Sequence, residues 1–161
     1  MRKLIASALL PGVLAACSEA NDATISNVPE EEAPAAVALI GDAESYGEKL
    51  VAAGLPLADI VVVTEETDDN RMLGRPGQYS SKIYFVDERH RGEGFEPNEQ
   101  NSIEVFGSEE DATKRREYVQ SVIDEMPMFN QYIIQSGSAV MRLDKAITPS
   151  EARAYEAALG A

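Results

Sequence analysis

Few side chains in this sequence could perform chemistry without a cofactor. The 161 residues include one histidine, one cysteine and no tryptophan. His90 lies in a charged stretch that continues to Glu96 and Glu99, so it could bind a divalent metal or act as a general base. Transition-metal sites ordinarily need further nitrogen or sulfur ligands. We therefore predict no metal site and no cofactor, and we interpret the stretch around His90 as a solvated hairpin loop.

Carboxylates are plentiful, with 28 acidic side chains against 14 basic ones. The acidic loops 65–70 and 87–101 could hold calcium, although neither has the spacing of an EF-hand loop. No pair of acids stands out for glycoside cleavage, and no Gly-x-Ser-x-Gly motif accompanies His90. We predict that the protein is not an enzyme. A small cell-envelope hydrolase that uses His90 is the alternative.

The cysteine has the clearest context. Two basic residues precede an apolar stretch, 4–14, which is shorter than the roughly 20 residues that a membrane-spanning helix needs and is typical of an export signal. The stretch ends in Leu14-Ala15-Ala16-Cys17. This motif resembles the lipobox of bacterial lipoproteins. The resemblance implies cleavage between Ala16 and Cys17 and acylation of the Cys17 thiol, whereas an ordinary secretory signal is the alternative.

An acylated Cys17 would attach the protein to the lipid bilayer at the extracytoplasmic face of the cell membrane, because two acyl chains anchor a protein stably. We predict a lipoprotein signal peptide over residues 1–16. Residues 17–38 then form the lipidated cysteine and a disordered acidic linker, since they are small, polar and acidic with no basic residue. Glu30-Glu31-Glu32 could bind a partner, but a solvated linker is the favoured interpretation.

Composition excludes several classes of protein. A formal net charge of −14 argues against nucleic acid as a partner, because binding to phosphates needs a basic face. A single cysteine cannot form an internal disulfide. An apolar content of 44% is close to the average of globular proteins.

The remaining residues, 39–161, are predicted to form a single α+β domain. The predicted elements are a helix over 43–53, strands over 60–64, 82–86 and 103–106, a helix over 108–126, strands over 131–135 and 139–143, and a helix over 149–159. Asp42 is predicted to cap the first helix, and the second and third helices are predicted to begin with capping boxes at Ser108-Glu109-Glu110-Asp111 and Thr148-Pro149-Ser150-Glu151. Consecutive strands without crossover helices pair antiparallel. We therefore predict a mostly antiparallel sheet of about five strands with the helices on one face. Strand 60–64, which is β-branched, is predicted to be central and buried, and Glu104 to face solvent.

The only basic run after the signal is Lys114-Arg115-Arg116. Glu110 precedes Lys114 by four residues and Asp111 precedes Arg115 by four, and this spacing favours ion pairs along one helix face. We interpret the run as a solvated helix face.

The loop over 65–79 is the predicted interaction site. Pro76-Gly77 is typical of a type II turn, which would present Arg75, Gln78 and Tyr79 beside it. Arginine and tyrosine are common anchors of protein interfaces. A loop that only connects two strands is the alternative.

Several segments resemble those of a group of small, uncharacterised secreted lipoproteins of high-GC Gram-positive bacteria. They are Leu73-Gly74-Arg75-Pro76-Gly77-Gln78-Tyr79-Ser80-Ser81-Lys82, Ile103-Glu104-Val105-Phe106, Glu117-Tyr118-Val119, Gln131-Tyr132-Ile133-Ile134 with the following hairpin, and Thr148-Pro149-Ser150-Glu151-Ala152. The resemblance implies a cell-envelope domain, often encoded near prophages, and provides no catalytic residue. We expect a membrane-anchored binding or interaction module whose partner is an envelope or phage protein. A lipoprotein that blocks DNA entry by related phages, as in superinfection exclusion, is the narrower alternative.

Overall fold

The computed structural model describes residues 41–91 and 101–160; the predicted signal peptide, Cys17 and the linker lie outside the described residues. The helices are α1 (Ala43–Ala52), α2 (Glu109–Glu125) and α3 (Pro149–Leu159), and the strands are β1 (Leu57–Val62), β2 (Tyr79–Asp87), β3 (Asn101–Phe106), β4 (Gln131–Ser136) and β5 (Ala139–Asp144). Short 3-10 turns lie at Glu88–His90 and Pro127–Phe129. The predicted order of helices and strands is confirmed.

The strands form one sheet in the order β1-β2-β3-β5-β4. Each neighbouring pair is antiparallel, which confirms the predicted α+β class and the five-stranded antiparallel sheet. β4 and β5 are joined by a two-residue turn that begins at Gly137, whose φ is +54°.

The two faces of the sheet are covered by different helices. α1 and α3 pack on the face that carries Ile83, Phe85 and Ile103. On the opposite face, Ala112 of α2 packs with Phe106. The prediction that the helices share one face therefore holds for α1 and α3 but not for α2. The physical reason is that every residue of β3 is buried, so both faces of the central strands need a cover.

β1 is an edge strand, and the prediction of a central, buried strand is wrong. Within residues 41–91 and 101–160, β1 pairs only with β2. Its residues Ile60, Val61 and Val62 are 41%, 42% and 47% exposed. A run of β-branched residues favours a strand, but it does not specify whether the strand has one neighbour or two.

The helix termini follow the predicted caps. The carboxylate of Asp42 accepts a hydrogen bond from the Ser45 N–H, and Ser108 caps α2 in the same way. Thr148 and Glu151 form a reciprocal capping box at the start of α3. Within residues 41–91 and 101–160, no helix is both long and apolar enough to cross a membrane.

Candidate functional site

The loop between β1 and β2, residues 65–78, is ordered by one buried carboxylate, and we call it the recognition loop. Asp68 Oδ2 accepts hydrogen bonds from the N–H groups of Met72 and Leu73 at 2.7 and 2.9 Å. Its Oδ1 accepts from the Asn70 N–H at 3.2 Å and from the Tyr79 hydroxyl at 2.7 Å. Three N–H groups of the loop and the hydroxyl of Tyr79, the first residue of β2, therefore converge on a single side chain.

The pKa values of Asp68 and Tyr79 reflect their burial and these hydrogen bonds. Burial alone would raise the pKa of Asp68, but the hydrogen bonds from Tyr79 and the loop backbone hold that pKa below its usual range. Burial, together with the neighbouring Asp68 carboxylate, raises the pKa of Tyr79. Asp68 is thus held as a carboxylate and Tyr79 as a neutral donor.

The predicted type II turn is present at the tip of the recognition loop. The Gln78 N–H donates to the Arg75 carbonyl at 2.9 Å, and Gly77 has a φ of +72°. This positive φ is required at the third position of a type II turn, which is why glycine occupies it. The turn holds Arg75 at the surface.

The three predicted interaction residues have different surroundings. Arg75 is exposed and Gln78 is half-buried. Tyr79 is fully buried, its ring meets that of Phe106 edge-on with centroids 6.2 Å apart, and it belongs to β2. Surface presentation of Tyr79 was therefore wrongly predicted, because the Asp68 carboxylate provides an internal acceptor for its hydroxyl.

The sequence pattern does not single out Asp68 as the residue that orders the loop. The sequence around it, Thr67-Asp68-Asp69-Asn70, is typical of turns in which a short acidic side chain accepts hydrogen bonds from backbone N–H groups a few residues later. That signal indicates a local turn. It does not identify Tyr79 as the fourth donor.

Two clefts flank the recognition loop. The first has a volume of about 480 Å³ and is lined by Glu65, Glu66, Asp68, Arg71, Leu73, Gly74 and Arg75. Arg71 and Arg75 are both exposed, and neither forms an ion pair with another described residue. Their guanidinium groups are therefore available to an outside acceptor.

The second cleft lies between the recognition loop and α2. It has a volume of about 400 Å³ and is lined by Met72, Gly77, Gln78, Phe106, Asp111, Lys114, Arg115 and Tyr118. It combines apolar and aromatic side chains with charged ones. The predicted interaction residue Gln78 and the basic run thus meet at the same cleft.

A buried cluster of charges lies between α2 and the sheet. Glu104 is fully buried, contrary to the prediction that it faces solvent. Arg115 Nε and Nη2 donate to its two carboxylate oxygens at 2.7 and 3.0 Å. Burial would raise the pKa of Glu104, but Arg115, Arg142 and Lys82 lower it below its usual range.

Lys82 completes this cluster from β2. Its Nζ lies 3.2 Å from Glu104 Oε1, and both side chains of this ion pair are fully buried. The contact does not have the geometry of a hydrogen bond. The ammonium group also lies 5.0 and 4.6 Å from the ring centroids of Tyr79 and Tyr84. Such contacts with aromatic faces partly offset the desolvation of a cation.

The basic run is a solvated face only in part. Lys114 forms the predicted pair with Glu110 at 2.8 Å. Arg116 is exposed. Arg115 instead turns towards the sheet, where its side chain is only 12% exposed. The prediction was wrong for Arg115 because its acceptor, Glu104, lies on β3 rather than on the same helix.

His90 lies at the other end of β2 and contacts α3. Its Nε2 is 2.8 Å from Glu151 Oε2, and its side chain is 22% exposed. The prediction that His90 lies in a solvated loop is therefore wrong for this side chain. Hydrogen bonds from Thr148, followed by the contact with His90, lower the pKa of Glu151 to about 2. His90 thus contacts the carboxylate that caps α3.

Asp87 supports the same end of the sheet. It is fully buried and accepts hydrogen bonds from the Tyr155 hydroxyl at 2.8 Å and from Arg89 Nε at 2.9 Å. Among the residues that the structure describes, no group of three histidine, cysteine or acidic side chains is arranged to hold a metal ion. The recognition loop, which is ordered by Asp68 and flanked by two clefts, is the candidate functional site.

Comparison with known proteins gives no match: no protein-family model, no curated protein and no solved structure matches this chain. The resemblance to secreted lipoproteins of high-GC Gram-positive bacteria therefore stays a prediction.

Proposed function

We propose that this protein is a lipid-anchored, extracytoplasmic binding module that contacts an envelope or phage protein through the recognition loop. The observation that carries the proposal is the pair of exposed arginines, Arg71 and Arg75, which lack an ion pair among the described residues on a loop ordered by Asp68. A loop that is ordered before binding loses less conformational entropy when a partner docks.

The chemistry of the first cleft indicates what the partner would present. A guanidinium group forms paired hydrogen bonds with carboxylate or phosphate oxygens, so Arg71 and Arg75 favour an anionic group. Glu65 and Glu66 line the same cleft and would repel a second negative charge. A partner surface with opposite charges side by side is therefore favoured over a uniformly acidic one.

The anchor rests on the sequence alone. Cys17 directly follows a short apolar stretch and small residues, which is the context of a lipidated cysteine. A membrane anchor would restrict the module to the envelope and raise the effective concentration of the recognition loop towards partners there.

Photo-cross-linking on intact cells tests the role of the loop. The parent protein is the full chain with a photoreactive amino acid in place of Gln78. The loop variants carry Arg71→Ala or Arg75→Ala in addition to this replacement. Arg153→Ala is the matched control, because Arg153 is an exposed arginine on α3. We expect a cross-linked partner that is lost in the loop variants and kept in the control. Equal cross-linking in all variants, or none in the parent, would overturn the proposal.

A further inference from the structure

Arg71 has a backbone conformation that arginine does not favour. Its φ is +53°, in the left-handed region. Among the described residues, Asp59 is the other non-glycine residue with a positive φ. Aspartate tolerates this region because its short side chain can form local hydrogen bonds, whereas a long side chain adopts it at a cost in free energy. The recognition loop therefore holds an arginine at a position that favours glycine or asparagine.

The left-handed conformation of Arg71 serves the order of the loop. The Arg71 N–H donates to the Asp68 carbonyl at 2.9 Å and closes a turn over residues 68–71. The next two N–H groups, those of Met72 and Leu73, both donate to Asp68 Oδ2. A left-handed residue within a turn lets successive N–H groups converge on one anion in this way. The backbone conformation is thus tied to Asp68, and a glycine at position 71 could adopt it equally well.

The side chain of Arg71 does not explain why arginine is present. It is exposed, and its guanidinium forms no ion pair or hydrogen bond with another described residue. A conflict between backbone conformation and residue type that no internal contact offsets is typical of functional sites. The contact that favours arginine at this position therefore lies outside the described chain.

The first cleft contains charges of both signs. A turn over residues 64–67, closed by a backbone hydrogen bond of 3.1 Å, carries the exposed residues Glu65 and Glu66, and Arg71 and Arg75 line the same cleft. A phosphate group carries up to two negative charges and a carboxylate carries one, so the two glutamates repel a phosphate more strongly. A carboxylate beside an ammonium group, as in adjacent glutamate and lysine side chains, matches all four charges.

We propose that Arg71 is the specificity-determining residue of the recognition loop, and that its guanidinium binds a carboxylate of the partner protein that lies beside an ammonium group. Arg75 is the second donor to this carboxylate. Arg71 thus lowers the stability of the fold and strengthens binding. The inference rests on the proposed function, because it names what the partner presents to the first cleft.

Arg71→Gly in the full chain tests both parts of the inference. Glycine adopts the left-handed region without strain, and this gain exceeds the greater freedom of glycine in the unfolded chain. We expect the midpoint of thermal unfolding to rise by about 2–5 °C. Loss of the guanidinium should reduce the product of photo-cross-linking through position 78 by about tenfold. A lower midpoint, or cross-linking equal to that of the parent, would overturn the inference.

Asp59→Gly is the matched control for the change in backbone. It places glycine at the other left-handed position, where Asp59 forms an ion pair with Arg91 and does not line the first cleft. Its cross-linking should equal that of the parent. Cross-linking that is lost in Arg75→Ala but kept in Arg71→Gly would overturn this inference and leave the proposed function intact. A parent without a cross-linked product would overturn the proposed function itself.

A titration without the partner tests the chemistry of the cleft. The probes are N-acetyl-Glu-Lys-amide, N-acetyl-Gln-Lys-amide and inorganic phosphate, and NMR follows the side-chain Nε–Hε signals of Arg71 and Arg75. We expect the glutamate peptide to shift these signals and to bind more tightly than the other two probes. Arg153, exposed on α3, provides the control signal. Equal shifts at Arg153 and Arg71, or tighter binding of phosphate, would overturn the inference.

Discussion

Arg115 on α2 donates two hydrogen bonds to Glu104 on β3, from Nε at 2.7 Å and Nη2 at 3.0 Å. This fork-shaped contact is the strongest form of carboxylate recognition by arginine. It connects the longest of the described helices to the middle strand of the sheet. Because Arg115 also lines the cleft beside the recognition loop, the pair holds one wall of that cleft in place.

Removing the charge of Glu104 should destabilise the fold strongly. Glu104→Gln leaves Lys82 and Arg115 without their buried counter-charge, and an uncompensated buried charge costs about 3–5 kcal/mol. Urea denaturation measures this loss of unfolding free energy. Glu110→Gln is the control, because Glu110 pairs with Lys114 at the exposed surface, and it should change little. Equal effects of the two substitutions would contradict the role of the buried cluster.

Asp68→Asn should loosen the recognition loop. The amide provides only one acceptor oxygen, so at least one of the loop N–H donors of Met72, Leu73 and Asn70, or the Tyr79 hydroxyl, is left unpaired. An unsatisfied buried donor costs about 1–3 kcal/mol. The Met72 and Leu73 amides should exchange hydrogen faster in this variant than in the unmodified chain. The midpoint of thermal unfolding is measured in the same proteins. In Glu66→Gln, an exposed neighbour in the same loop, exchange should stay unchanged. If both variants exchange alike, Asp68 does not order the loop.

The stability of the domain should fall in mild acid. The pKa values of Asp68, Asp87 and Glu104 are lower in the folded state than their usual values. The unfolded chain therefore binds more protons as the pH falls below about 5, and the unfolding free energy decreases from there through the depressed pKa values. Urea denaturation between pH 7 and pH 3 measures the slope. Asp68→Asn should make it shallower, and a slope identical to that of the unmodified chain would contradict the assignment of Asp68.

Cys17→Ser should release the protein from the membrane. The substitution removes the thiol that acylation requires, and without acyl chains the exported chain has no anchor of this kind. Fractionation of cells that express the full chain, followed by immunoblotting, should show a shift from the membrane pellet to the soluble fraction. Ser18→Ala, the neighbouring substitution, should leave the protein in the pellet. A Cys17→Ser protein that stays in the pellet would contradict lipidation.

The sequence by itself determined the features whose partners lie a few residues apart. The cap at Asp42, the capping box of Thr148 with Glu151 and the turn at Pro76-Gly77 were all predicted and confirmed. Each of these features depends on a φ angle or on a hydrogen bond between residues within about five positions of each other. The local amino-acid sequence is therefore sufficient to predict them. The position of Arg75 at the surface follows from the same turn.

Only the tertiary structure decided the environment of residues whose partners are distant in the chain. The sequence could not show that Glu104 is buried, because its counter-charges come from β2 and α2. Nor could it show that Tyr79 turns inward to Asp68, or that β1 lies at the edge of the sheet. A charged or β-branched residue has a strong local preference, but its burial depends on what the fold brings opposite to it. Long-range pairing, not local propensity, therefore decides which residues of the recognition loop and of β1 are exposed.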